Sequence, residues 1–314
     1  MTRVLRSSLI AMGILSVACG GRPAPAASAV APAAGGSLPK LVTTEELARW
    51  QAEGPVLAID VRSDVFTYLK GHLPGAEYLN METLRASEGG IPTRLLSAGA
   101  YRELFSRLGI DPDRPVVIYS AGESRNIDAT FLAFLLGGFG HPRVYVLDGG
   151  YFKWELEQRP IAVHYPRVPT TRFPDWPFHP DTASLAEVRR AAAGGAAVLL
   201  DARSADQYAG RSGAQMRRGH IPGAISHSWQ EDLTQAGFGH VWKPRDELRR
   251  DYAALGVTPD KDVIAYCNSA TEASHLYFTL RYLLGYPRVR VYVGSWTEWA
   301  ENEALPIAVG PKPY

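Results

Sequence analysis

The chain has 314 residues, of which 46% are hydrophobic and 21% are charged. This composition is typical of a soluble globular protein and excludes a disordered or fibrous chain, and the length favours two domains. The 33 lysine and arginine residues nearly balance the 32 acidic ones, which leaves a net charge of +1. We therefore expect no nucleic-acid binding driven by bulk charge. Two cysteines are too few for a disulfide scaffold.

The N-terminus, residues 1–19, has the pattern of an export signal. Arg3 and Arg6 give it a positive start, and the apolar run at 9–17 is too short to span a bilayer. Small residues precede Cys19, as in a bacterial lipoprotein signal, although Leu15 stands four residues before the cysteine instead of three. We expect an exported protein anchored in the periplasm or cell envelope by lipid attachment at Cys19, which is then its only membrane contact. Ordinary secretion and an uncleaved tether are the alternatives.

Two further segments separate the expected folded units. Residues 20–39 are mostly Ala, Pro, Gly and Ser, which cannot form a core and predict a flexible tether. Residues 161–182 are rich in proline, aromatic and basic residues, and we interpret them as a linker that packs against its neighbours. The predicted domains are therefore 40–160 and 183–314. No later segment has enough uninterrupted apolar residues to span a membrane.

The motifs of the first domain recur in order about 145 residues later. Each copy begins with an apolar run that ends in Asp-x-Arg, at Asp60 and at Asp201. The matched segments are 56–62 with 198–203, 71–76 with 219–224, 114–120 with 261–267, and 144–154 with 291–299. Such runs are typical of buried parallel strands, and the stretches between them have helical spacing. We predict an α/β fold of two tandem domains, each a parallel sheet flanked by helices.

Four helices are predicted from apolar spacing and a following glycine. In the first copy they cover 100–108, ending at Gly109, and 127–136, ending at Gly137. In the second copy they cover 245–255 and 273–284, and they end at Gly256 and Gly285.

Cys267 follows a predicted strand and precedes a predicted helix by about six residues. The carboxyl end of a parallel strand is the usual ligand position of an open α/β sheet. Amide groups and the helix dipole favour negative charge there, and the same features lower the pKa of a cysteine. The loop residues are small, so their amides could converge on the sulfur. We predict that Cys267 is a nucleophile; taken without this setting, a cysteine is more often buried and inert.

The chain resembles the tandem-domain rhodaneses, the thiosulfate and 3-mercaptopyruvate sulfurtransferases. The resemblance covers about residues 41–306 and rests on Gly-His-Ile-Pro-Gly-Ala at 219–224, Gly-Ser-Trp-Thr-Glu-Trp at 294–299, and Leu-Asp-Gly-Gly with Trp154. It implies a non-catalytic first domain, with Ser120 at the position of the cysteine, and a catalytic second domain with Cys267. It also implies ping-pong transfer of sulfur from thiosulfate or a related small sulfur-containing anion to cyanide or a thiol, with no metal or organic cofactor.

The loop departs from the family pattern at two positions. The expected substrate-binding residues are Asn268, Ser269, Ala270, Thr271, Glu272, Ala273 and Arg203. Alanine at 270 replaces the usual glycine and lacks its freedom at positive φ. The carboxylate of Glu272 replaces a basic or hydroxyl group, so it should raise the pKa of the thiol and repel an anionic donor.

These departures keep a second function open, a catalytically weakened persulfide carrier or protein-binding module. A phosphatase of the rhodanese-related type is disfavoured, because no arginine lies between Cys267 and Arg281 to hold a phosphate.

Other conspicuous polar residues have structural interpretations. The turn histidines His72 and His220 are expected to hold their turns, and the Asp-x-Arg pairs are expected to be ion pairs. His275, which follows the loop, is a minor candidate for a general base. The eight histidines are scattered and predict no metal site. We expect a monomer.

Overall fold

The structure is a computed structural model that describes residues 38–121, 126–237 and 239–313. Cys19, the predicted signal and nearly all of the predicted tether lie outside this part, as do residues 122–125 of the loop that begins at Ser120. Within the described ranges, no helix has the length and apolar character needed to cross a bilayer.

The first half contains a five-stranded sheet in the order β1-β7-β6-β2-β3, in which every pairing is parallel. Its strands are β1 (Lys40–Val42), β2 (Leu57–Asp60), β3 (Glu77–Tyr78), β6 (Val116–Tyr119) and β7 (Val144–Leu147), and β4 (Arg85–Glu88) and β5 (Ile91–Leu95) form a separate antiparallel hairpin. The helices are α1 (Thr44–Glu53), α2 (Val65–Lys70), α3 (Ala98–Arg107), α4 (Ile127–Gly138) and α5 (Gly150–Leu156).

The second half repeats this plan with a four-stranded parallel sheet in the order β13-β12-β8-β9. The strands are β8 (Val198–Asp201), β9 (Ile225–Ser226), β12 (Val263–Tyr266) and β13 (Val289–Val291), with the hairpin β10 (Leu233–Ala236) and β11 (Gly239–Trp242). The helices are α6 (Leu185–Ala192), α7 (Ala205–Tyr208), α8 (Arg245–Ala254), α9 (Thr271–Tyr277) and α10 (Ser295–Glu301), and a π-helical turn, Phe278–Leu283, continues α9. The prediction of two α/β units with parallel sheets is confirmed.

Three of the four predicted helix ends have the expected glycine conformation. Gly109, Gly256 and Gly285 have φ values of +69°, +76° and +77°, where a side chain would be strained. The prediction that a helix stops at Gly137 is wrong. The helix α4 runs through Gly138, and the left-handed residue that follows it is Gly140.

The two halves share one continuous hydrophobic core, centred on the packing of α4 against α9. The rings of Phe134 and Tyr277 meet edge to face with centroids 5.0 Å apart. Beside them, the hydroxyls of Thr130 and Ser274 are 3.0 Å apart. Because α9 immediately follows the Cys267 loop, the first half packs against the helix at the end of that loop and supports it.

The predicted linker is ordered along the first half. Phe173 is buried and packs edge to face against Phe105 and Phe139. The Arg102 guanidinium donates to the carbonyl oxygen of Trp176 at 2.7 Å. These contacts hold the segment against α3 and the end of α4.

The repeat register near β13 differs from the sequence prediction. The counterpart of β7, which begins at Val144, begins at Val289 and not at Val291. The shift makes Ser295 the counterpart of Gly150, and both residues have positive φ, +53° and +56°. A serine therefore occupies a backbone conformation that glycine takes in the first half.

Candidate active site

A buried ion pair stands at the carboxyl end of each central sheet. Arg203 donates through Nε and Nη2 to Asp201, with the Nη2 to Oδ2 distance at 2.6 Å, and also donates to the carbonyl oxygen of Gly219 at 2.8 Å. Arg62 pairs with Asp60 in the same way, also at 2.6 Å. The ion-pair interpretation of both Asp-x-Arg motifs therefore agrees with the geometry.

Arg203 lies beside the Cys267 loop but faces inward. It is 1% exposed, and its guanidinium carbon lies 4.6 Å from the centroid of the Trp296 ring. The contacts to Asp201 and Gly219 use Nε and Nη2, so Arg203 would contact a substrate through Nη1. Trp296 is likewise 1% exposed, so it supports the guanidinium from within.

Cys267 follows β12 directly, and the loop amides turn toward its sulfur. The Ser269 N–H donates to Sγ at 3.4 Å, and the amides of Glu272 and Ala273 also hydrogen-bond the sulfur. Three main-chain dipoles thus point at one atom, which is the arrangement that stabilises a thiolate or a persulfide anion.

The side chain of Ser295 fastens both ends of this loop. Its Oγ accepts hydrogen bonds from the amides of Cys267 at 3.3 Å and Ala270 at 3.2 Å. The same hydroxyl donates to the carbonyl oxygen of Tyr292 at 2.7 Å. Ala270 adopts φ of +72°, a conformation that glycine would take without strain. The backbone therefore makes a left-handed turn at this position although the residue is alanine.

The carboxyl group of Glu272 lies in contact with the thiol. It hydrogen-bonds the Cys267 side chain and accepts a hydrogen bond from the Trp229 side chain. Burial, followed by the negative charge of Asp201, raises its pKa to about 7, and Arg203 opposes the shift. Glu272 therefore changes charge near neutral pH.

The expectation of a lowered thiol pKa is wrong for this structure. Cys267 is 1% exposed, and this burial, together with the Glu272 carboxylate, raises the pKa of its thiol to about 12. The amides of Ala273, Ser269 and Glu272 act in the opposite direction without outweighing burial. The resting residue is a neutral thiol surrounded by donors that fit its anion.

The remaining loop residues make contacts on either side of the cysteine. The Asn268 carbonyl oxygen accepts a hydrogen bond from the Thr297 hydroxyl at 2.8 Å, and its side-chain nitrogen lies 3.5 Å from the Gln207 Oε1. Thr271 is mostly buried at the start of α9, and its hydroxyl accepts a hydrogen bond from Arg85.

Arg85 is a residue that sequence reasoning missed. It belongs to β4 in the first half, and its guanidinium carbon lies 4.9 Å from the centroid of the Phe131 ring. It places a positive charge beside the loop through its contact with Thr271, although the two residues are 186 positions apart in the chain. No local pattern could have found this contact. Two basic residues of the second half have other partners: Arg217 donates to carbonyl oxygens near the C-terminus, and Lys243 pairs with Asp251.

The histidines have structural surroundings. The His72 Nδ1 lies 3.0 Å from the Tyr68 carbonyl oxygen, and the His220 Nδ1 lies 2.9 Å from that of Tyr208, with each imidazole stacked on the same tyrosine. His275 is fully buried and stacks on Trp242. Within residues 38–121, 126–237 and 239–313, no set of three His, Cys, Asp or Glu side chains could hold a metal ion.

The corresponding place in the first half carries Ser120 at the end of β6. This residue is 1% exposed, and its amide donates to Oδ1 of Asn126 at 3.0 Å. The side chain of Asn126 thus holds this backbone as Ser295 holds the Cys267 loop.

Comparison with known proteins adds to this geometry. A rhodanese-like domain profile matches residues 43–157 and again 184–302. A putative thiosulfate sulfurtransferase of Synechococcus elongatus is 35% identical over 81% of this chain and 80% of its own length. The sulfur carrier protein TtuD of Thermus thermophilus is 34% identical over 86% of this chain and 96% of its own. A thiosulfate sulfurtransferase of Corynebacterium glutamicum is 32% identical over 80% and 84%.

Solved structures with the same fold include the anaerobic ergothioneine biosynthesis enzyme of Chlorobium limicola with trimethyl histidine. It matches with a TM-score of 0.72 at 24% identity, over 86% of this chain and 70% of that one. At this identity the match speaks to the fold alone.

Proposed function

Because the chain belongs to the rhodanese family and is a tandem-domain sulfurtransferase, we propose that it transfers sulfur through a persulfide on Cys267. The donor is thiosulfate or a related sulfane-sulfur compound, and the acceptor is cyanide or a thiol. The observation that carries the proposal is the convergence of the Ser269, Glu272 and Ala273 amides on one sulfur atom at the end of β12.

The reaction divides into two displacements on sulfur. In the first, the Cys267 thiolate attacks the outer sulfur of thiosulfate; a sulfur–sulfur bond forms, the donor's own sulfur–sulfur bond breaks, and sulfite leaves with that electron pair. In the second, cyanide or a thiolate attacks the outer persulfide sulfur and releases the Cys267 thiolate. Such covalent catalysis replaces one difficult step with two easier ones.

The amide donors stabilise the negative charge on sulfur in the attacking thiolate and in the persulfide. A main-chain donor that is fixed before the reaction stabilises charge more strongly in a water-excluded site than a donor in solvent does, because it does not reorganise as the charge develops. The buried Arg203 and the interdomain Arg85 add positive potential beside the loop. Together they offset the charge of an anionic donor.

Steady-state assay with thiosulfate and cyanide, following thiocyanate, tests the proposal. The wild-type chain should turn over, and Cys267→Ser should abolish the product. Ser120→Ala, at the matching position of the first half, should keep the wild-type rate. Thiocyanate formation by the Cys267→Ser protein would contradict the proposal.

A sulfur-carrier function is a second candidate, favoured by the Glu272 charge beside the thiol and by the likeness to TtuD. A carrier would load one sulfur and release it to a protein thiol without rapid turnover on cyanide. Stoichiometric loading without thiocyanate formation would select this function.

We further propose that Cys19 is lipidated and anchors the protein in the cell envelope. The support is the charged start, the short apolar run and the small residues before Cys19. Metabolic labelling with a radioactive fatty acid in a bacterial host should mark the wild-type chain and not Cys19→Ala. Equal labelling of both proteins would contradict the anchor.

A further inference from the structure

The Glu272 carboxyl group is the acidic group that the Cys267 sulfur meets. It lies five residues after the cysteine, in the first turn of α9, where it hydrogen-bonds the thiol on one side and the Trp229 side chain on the other. Asp201 is also near, but its two oxygens accept the Nε and Nη2 hydrogen bonds of Arg203. Of these two carboxyl groups, only Glu272 contacts the thiol.

The burial of Cys267 creates a chemical requirement. Attack on a donor sulfur needs the thiolate, since the thiol is a poor nucleophile. The side chain is 1% exposed, so bulk water has little access to remove its proton. The proton therefore needs an acceptor within the protein, in hydrogen-bond contact with the sulfur.

We propose that Glu272 is the proton acceptor for Cys267 during sulfur transfer. This inference rests on the proposed function, because it assumes that Cys267 is the nucleophile. The Glu272 carboxylate takes the thiol proton as the sulfur attacks the donor, and it holds that proton while the persulfide is present. When the acceptor removes the outer sulfur, Glu272 returns the proton to the Cys267 thiolate.

The cycle balances in protons and charge. Thiol and carboxylate become thiolate and carboxylic acid, so the pair carries one negative charge before and after the transfer. Thiosulfate then gives its outer sulfur to the thiolate and leaves as sulfite, and the persulfide keeps the single negative charge. The donor anion therefore meets one negative charge at this pair and not two, which reconciles a carboxyl group at this position with an anionic substrate.

The pH response of Glu272 depends on the charges that surround it. Asp201 and Arg203 face it from the end of β8, and Cys267 faces it from the loop. Arg85 approaches the same turn of α9 from the first half through Thr271. Burial and Asp201 raise the pKa of Glu272 to about 7, while Arg203 lowers it. The carboxylate form, which accepts the proton, therefore grows as the pH rises through neutrality.

Glu272→Gln tests the proposal because glutamine keeps the size and can still accept the Trp229 hydrogen bond. The measurement is the single-turnover rate of sulfur loading from thiosulfate across neutral pH, followed by the gain of one sulfur in intact mass. Ultraviolet absorbance of the thiolate gives the Cys267 pKa in the same samples. Glu301→Gln, an exposed glutamate of the same half, is the control and should load at the wild-type rate.

Glu272→Gln should lower the thiol pKa, because a negative neighbour is lost, and yet slow loading at pH 7 by about 100–10,000-fold, the usual contribution of a general base. The wild-type rate should level off above the Glu272 pKa, whereas the variant rate should keep rising with pH. If the variant loads as fast as wild type or faster at pH 7, the carboxylate only repels the donor and the inference is overturned. If the wild-type chain loads no sulfur at Cys267, the proposed function itself fails, which is a distinguishable result.

Discussion

Removal of the Ser295 hydroxyl should loosen the Cys267 loop. This hydroxyl accepts from two buried amides, those of Cys267 and Ala270, and donates to the Tyr292 carbonyl oxygen. Ser295→Ala leaves these three groups without their partner. A buried polar group that loses its partner costs about 1–3 kcal/mol. The two amide bonds are long, at 3.3 and 3.2 Å, so we expect a total loss of about 2–4 kcal/mol.

Because Ser295 has a positive φ, a second variant at this position, Ser295→Gly, should differ in stability from Ser295→Ala. Alanine keeps the strain of φ +53°, whereas glycine relieves it. Ser295→Gly should therefore be more stable than Ser295→Ala by about 1 kcal/mol while losing the same hydrogen bonds. Both variants should load sulfur more slowly than wild type. The loop would no longer be fixed, so the Ser269, Glu272 and Ala273 amides would no longer keep their direction toward Sγ.

Urea unfolding and single-turnover sulfur loading measure the two effects. Asn126→Ala is the matched control, since Asn126 holds the Ser120 backbone in the first half. It should lower stability and leave loading from thiosulfate unchanged. The reasoning is refuted if Ser295→Ala unfolds at the wild-type urea concentration and loads at the wild-type rate.

Three further predictions concern charges around the site. Arg203→Met should cost about 3–5 kcal/mol of unfolding free energy by urea titration, because Asp201 stays buried without its partner. Arg62→Met should cost a similar amount but leave sulfur loading unchanged, so equal loading by both variants would contradict a site role for Arg203. Arg85→Met removes the cation that donates to Thr271 and should raise the KM for thiosulfate, most strongly at low salt; an unchanged KM would contradict this. Burial lowers the pKa of His275 from 6.5 to about 4. As the pH falls, the unfolded chain therefore binds this proton before the folded protein does. About 3 kcal/mol of unfolding free energy is lost between pH 6.5 and 4. His275→Phe should weaken the acid dependence of stability in that window, and an unaltered profile would count against it.

Much of the fold could be predicted because its signals are local. The Asp-x-Arg ends of β2 and β8 and the glycines after the helices each depend on a few adjacent residues. The repetition of these signals in the same order identified two similar units. The register of β13 was misplaced because alternating valines at 289, 291 and 293 fit two alignments equally well.

The electrostatics of the site could not be predicted in the same way. The pattern around Cys267 correctly indicated amides near the sulfur, but the thiol pKa depends on total burial, which is a property of the whole fold. The contact between Arg85 and Thr271 joins β4 to α9 across the two halves. Sequence gives no distance between such residues, so neither the interdomain cation nor the direction of the Glu272 carboxyl group could be assigned.

The most direct test is to treat the protein with thiosulfate, remove the excess, and locate any added sulfur by intact mass and peptide mapping under non-reducing conditions. We predict that one sulfur atom is gained on the peptide that contains Cys267, and that cyanide removes it as thiocyanate. A protein whose mass does not change, or whose added sulfur lies on a peptide without Cys267, would contradict the account.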